Sequence, residues 1–113
     1  MNASGSGPQN LGVVFTPPTA GLYSFSARLS VVGATGGGGL RANVGYGSPT
    51  PAFAFTTSTV ANGETISGTV VFLYSTSAIS AEVVEDGTVS NSPAWELRLR
   101  VELLSPSDLT DPL

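Results

Sequence analysis

The chain has no cysteine, no histidine and no lysine, and only 11% of its 113 residues are charged. Each absence removes a class of chemistry. Without Cys there is no disulfide framework, no thiolate ligand and no thiol nucleophile. Without His there is no Ser-His-Asp triad and no imidazole-bound zinc. Without Lys there is no Schiff base. Acid–base work would fall to carboxylates and tyrosines alone, so neither an enzyme nor a cofactor is expected. No apolar run approaches the about 20 residues of a membrane-spanning helix. The start, "MNASGSGPQN", has neither the basic end nor the apolar centre of a signal peptide, and no membrane partner is expected. Asn2-Ala3-Ser4 matches a glycosylation acceptor and is read as chance. The four basic residues, Arg28, Arg41, Arg98 and Arg100, face eight acids, a formal charge of −4. Nucleic-acid binding needs a basic patch, so that partner is not expected either.

What is present is an ordinary apolar share, 41% of residues, enough for one domain with a real core. A disordered chain would be poor in apolar residues and rich in charge. The polar surface must therefore be built from Ser, Thr, Asn and Gln. Stability must come from packing and assembly.

Two stretches carry a clean period of two. In "LYSFSARLSVV" (22–32), Tyr23, Phe25, Ala27, Leu29 and Val31 fall on one face, and Ser24, Ser26, Arg28 and Ser30 on the other. In "AWELRLRVELL" (94–104), Trp95, Leu97, Leu99, Val101 and Leu103 alternate with Glu96, Arg98, Arg100 and Glu102. This is the pattern of strands with one buried face. Further strands are expected at 11–15, 40–47, 52–60, 64–74 and 78–84. Ile66, Val70 and Phe72 share a face of the fourth of these, and Gly68 between them suggests a bulge or a close approach. Asn62-Gly63 and Asp86-Gly87 are tight-turn signals. "GATGGGG" (33–39) reads as a long flexible loop. It lacks the Gly-Lys-Ser/Thr ending of a phosphate loop and opens no helix. Residues 1–10 read as a flexible arm, 11–104 as the domain, and 105–113 as an extended tail interrupted by prolines. The fold class expected is all-β: an antiparallel jelly roll or β-sandwich of about seven or eight short strands. Its core would hold Phe15, Tyr23, Phe25, Leu29, Phe72, Trp95, Leu97, Leu99 and Val101.

One spacing is more specific. Phe15, then Gly21, Tyr23 and Phe25, resembles the signature of the complement globular-head and tumour-necrosis-factor jelly-roll superfamily. Ala27 stands where that pattern often has a further aromatic, and the chain upstream of Phe15 is short. The whole layout is similar to small jelly-roll proteins of tailed-phage particles: Gly-x-Tyr on an early strand, a Gly-rich loop, an "NG" turn and a final strand such as "LRVELL". That resemblance implies a homotrimer with a structural or adhesive role at the virion surface.

Three groups of residues are candidates for function. Glu96, Arg98, Arg100 and Glu102 concentrate charge on one short row, with two readings: an ion-paired subunit contact or a solvent face with cross-strand pairs. Leu109 and Leu113 would let the tail dock on a neighbour. Glu82, Glu85 and Asp86 could bind calcium or act as paired carboxylates, but Asp-Gly is expected here as a turn. The chain holds little beyond one such domain, which suits a surface component more than the tip of a long fibre. The function expected is a capsid decoration (cement) or head-spike-base protein that contacts itself and a major capsid or other virion protein. The alternative is a module binding a host glycan or receptor through 33–39 and "GYGSPTP" (45–51), with Tyr46 as a stacking platform.

Overall fold

The computed structural model describes residues 1–73 and 77–106, apart from the side chains of 53, 54, 70–73, 105 and 106. Its regular structure is all β: β1 (Asn2–Ser6), β2 (Gln9–Phe15), β3 (Gly21–Val32), β4 (Gly39–Tyr46), β5 (Phe53–Thr56), β6 (Gly63–Leu73), β7 (Ile79–Asp86) and β8 (Ala94–Pro106). They form two antiparallel four-stranded sheets packed together as a sandwich. The order is β1-β8-β3-β6 in the first sheet, sheet A, and β2-β7-β4-β5 in the second, sheet B. The pairings are nested: β1 with β8, β2 with β7, β3 with β6, and β4 with β5.

The two alternating stretches become the centre of sheet A. Their registers place Phe25 beside Val101, Ala27 beside Leu99, Leu29 beside Leu97 and Val31 beside Trp95. Removing that apolar row from water supplies the main driving force, about 25 cal/mol per Å². Sheet B answers with Leu40, Ala42, Val44, Ile79, Ala81 and Val83, and the two inner faces make one cluster. Tyr23, Phe25, Leu29, Trp95, Leu97 and Leu99 are buried, and Phe15 and Val101 are partly buried against them. The Phe72 side chain lies outside the described residues. Leu103 is on the inner side in register with Tyr23, yet 49% exposed. The sheet there runs past the body of the core.

The Phe15, Gly21, Tyr23, Phe25 spacing has a local cause. Phe15 meets Tyr23 and Phe25 edge-on, with ring centroids 5.6 and 6.1 Å away. The Tyr23 hydroxyl donates to the Thr19 carbonyl at 2.7 Å, tying down the proline bend while the ring is buried.

Several expectations are corrected. Residues 1–10 are not a free arm: β1 pairs with β8 from Asn2↔Arg98 to Ser6↔Ala94, and β2 begins at Gln9. A polar strand suffices there, because backbone hydrogen bonds and small residues meet the needs of an edge. The strand expected over 52–60 ends at Thr56, and Thr57 turns inward so that its hydroxyl accepts from the Ala42 amide. The last strand continues to Pro106. No bulge occurs at Gly68, since β3 and β6 pair without a shift; the register shifts fall in β2 and between Leu22 and Tyr23 where β3 meets β8. Ile66 points outward and is 68% exposed. In β6 the residues in register with the buried Phe25, Ala27 and Leu29 are Thr69, Ser67 and Thr65.

Candidate functional site

The outer face of sheet A is a grid set by strand register. One row crosses the sheet as Ser4, Glu96, Ser30 and Glu64; the next as Asn2, Arg98, Arg28 and Ile66. An acidic row thus lies beside a basic one. Arg28 donates to Glu64 through Nε and Nη2 at 3.0 and 2.8 Å, a two-pronged contact. Ser30 lines the same depression as this pair. The hydrogen bond from Arg28 holds the Glu64 carboxyl below its usual range, and the same bond raises the guanidinium above its own. Arg98 Nε donates to Glu96 at 2.9 Å, and Arg100 lies 3.8 Å from Glu102.

Glu96, Arg98, Arg100 and Glu102 therefore sit together on β8, facing out, but each Arg is matched within the chain. All these pairs are well exposed, and exposed pairs contribute little to stability. Arg28, Ser30, Glu64, Glu96 and Arg98 surround a depression of about 220 Å³, below the range usual for small-molecule sites. Arg28, Ser30 and Glu64 are the members that the sequence did not single out. The available signal was the period of β3, which put Arg28 on the outer face, but only pairing with β6 brings Glu64 to it. Leu109 and Leu113 lie outside the described residues.

Sheet B presents a different outer face. Thr56 Oγ1 donates to Asn43 Oδ1 at 2.7 Å, and Asn43 Nδ2 donates to Glu82 Oε2 at 2.9 Å. A hydrogen-bonded row thus crosses β5, β4 and β7. The carboxylates expected as a group are dispersed into separate duties: Glu82 serves this row, and Asp86 accepts from Thr59 at 2.5 Å. Among the described residues no three acidic side chains gather as a metal site would require.

The loops expected to act together do not meet. Residues 33–38 leave the end of β3, and 47–52 follow β4, at opposite ends of the sandwich. The first is knitted into its surroundings. Asn91 accepts from the Thr35 amide and donates to the Gly33 carbonyl, both at 2.9 Å; Ser90 and Gly38 amides complete the bonding, at 2.7 Å to Thr35 and Thr88 carbonyls. Glycine is required by this closeness: a Cβ on Gly36 would lie 2.9 Å from the Thr88 carbonyl oxygen, and one on Gly38 would lie 2.5 Å from that of Asp86. The run of glycines is thus a packing device and not a free loop. Tyr46 is partly buried against the core, and its hydroxyl pKa is pushed up by that burial.

No family model matches this chain, and no curated protein matches it.

Proposed function

We propose that the sandwich is a jelly roll and that the protein is a structural component of a virion surface, assembling as a homotrimer. The nested pairing carries the first part. A long hairpin in which strand one meets eight, two meets seven, three meets six and four meets five, wrapped into two sheets, gives the orders 1-8-3-6 and 2-7-4-5. That is the double Greek-key logic of a jelly roll.

The role rests on the character of the surfaces. Sheet A presents a broad face whose charges are matched within the chain, and sheet B a face of hydrogen-bonded Thr, Asn and Glu. Such faces suit dense packing against like copies without strong repulsion, and the sequence holds no His, Cys or Lys for a catalytic site. In this reading the protein covers seams between capsid subunits, and the β8 row makes contacts across them. The resemblance to small phage jelly-roll proteins points the same way.

The test is the copy number per particle by quantitative mass spectrometry of purified virions from the source. Hundreds of copies are expected for a decoration protein, and a few tens for a spike base. Absence from particles would overturn the virion role. Light scattering of the purified protein checks the trimer; a monomer at high concentration counts against it.

A further inference from the structure

We propose that β6 is a pairing edge for a second copy of this chain, joined antiparallel about a two-fold axis at Gly68. Among the described residues β6 ends the order β1-β8-β3-β6, and none of them pairs with the other side of this 11-residue strand. Edge strands are usually blunted by proline, lysine or a bulge. β6 has neither residue, and its pairing with β3 runs without a shift. Its single charge, Glu64, is occupied by Arg28. Ile66 beside it is among the most exposed apolar residues of the molecule, at 68%.

The open edge carries unpaired backbone groups, and their positions follow from the ladder. Met1 and Leu99 exchange both backbone bonds across β1 and β8. In an antiparallel ladder successive residues turn their N–H and C=O to opposite neighbours. Arg98 and Arg100 therefore turn to β3. Carried through the registers Arg98–Arg28–Ile66 and Arg100–Ser26–Gly68, the backbone groups of Ile66 and Gly68 point away from β3, to the open side.

Gly68 is the residue the isolated chain does not explain. Glycine in a strand interior weakens it and often marks a close approach by another backbone. Here no positive φ, no bulge and no internal crowding calls for it; a Cβ would find its nearest heavy atoms at an ordinary 3.6 Å. The sequence around it, "TISGTVV", is nearly symmetric: Ile66 balances Val70, Ser67 balances Thr69, and Thr65 balances Val71. An antiparallel second copy centred on Gly68 would set each member opposite its counterpart and place no like charges together. That symmetry selects a second copy over an unrelated strand.

A strand of this length spans about 37 Å, and addition of a strand to an open sheet edge is a recurring mode of association. The contact goes beyond the three-fold assembly proposed above and does not depend on it. Where trimers form it joins copies of adjacent trimers; otherwise it makes a dimer.

The test uses the absence of cysteine from the chain, since a single introduced Cys can bridge only between copies. Residues facing each other in a hydrogen-bonded antiparallel pair have Cα atoms about 5.5 Å apart, within disulfide range. Under mild oxidation Gly68→Cys should form covalent pairs on a denaturing gel at least about tenfold faster than Val32→Cys, an exposed site on β3 away from the edge. Ile66→Lys, a change at an exposed side chain, should weaken self-association at least about tenfold by analytical ultracentrifugation, with an unchanged circular dichroism spectrum. The proposal is overturned if Gly68→Cys bridges no faster than Val32→Cys, or if Ile66→Lys associates like the unmodified protein.

Discussion

The two sheets face one another across the same core but bring different things to it. Sheet A contributes bulk: Tyr23, Phe25, Leu29, Trp95, Leu97 and Leu99. The fully buried side chains of sheet B are smaller, with Ala42 and Ala81 among Val44, Val83, Leu40 and Ile79, while its Phe15, Tyr46 and Phe55 are only partly buried. Close packing requires such complementarity, since large residues on both faces would hold the sheets apart. The strands differ accordingly. β3 and β8 are long, at 12 and 13 residues, while β2 is twice interrupted in register and β5 has 4 residues. Sheet A is thus a plate built on two long strands, and sheet B is made of shorter and less regular ones.

The sharpest test of this division is to remove bulk from the plate. Phe25→Ala should cost about 3–5 kcal/mol in denaturant unfolding, and a loss below about 1 kcal/mol would mean that the plate is not the organising element. The converse change adds bulk on the other side. Ala42→Leu should cost about 1–3 kcal/mol by overpacking; if it stabilises the protein, sheet B has room that the complementarity argument denies. Next is the knitted end, where Asn91 ties two loops. Asn91→Ala removes two hydrogen bonds and should cost about 1–2 kcal/mol, with faster amide exchange at Thr35.

The smallest effect concerns the charged face. The Glu64 carboxyl is depressed in the folded state by Arg28. Its contribution is therefore present above the ordinary glutamate pKa and is lost as the pH falls through the lower, folded value. Glu64→Gln should remove that part of the acid sensitivity and leave stability at neutral pH nearly unchanged. Carboxyl titration followed by NMR checks it: a Glu64 midpoint at or above the ordinary glutamate value would show that the pair does not persist.

The difference between the sheets also explains what could be read in advance. Sheet A was legible because one face of β3 and β8 is buried and the other wet, which writes a period of two into residues 22–32 and 94–104. β6 misled because it is an edge strand. It places Thr65, Ser67 and Thr69 in register with the core row and exposes Ile66, so its hydrophobic pattern does not report burial. β1 escaped notice because a strand held by backbone bonds and small residues has no composition of its own. Of the charged site, the β8 row and Arg28 could be placed on outer faces from periodicity; Glu64 could not be joined to them without the register.

The sequence by itself determined the class of chemistry excluded, the all-β character and the two core strands, since residue types and a period of two are properties of the chain taken locally. Only the tertiary structure decided that the polar start is a strand, that the glycine run is clamped by Asn91, and that the arginines of sheet A are matched within the chain. Those are facts about residues brought together from distant positions, and register and close approach are settled only when the sheets are assembled.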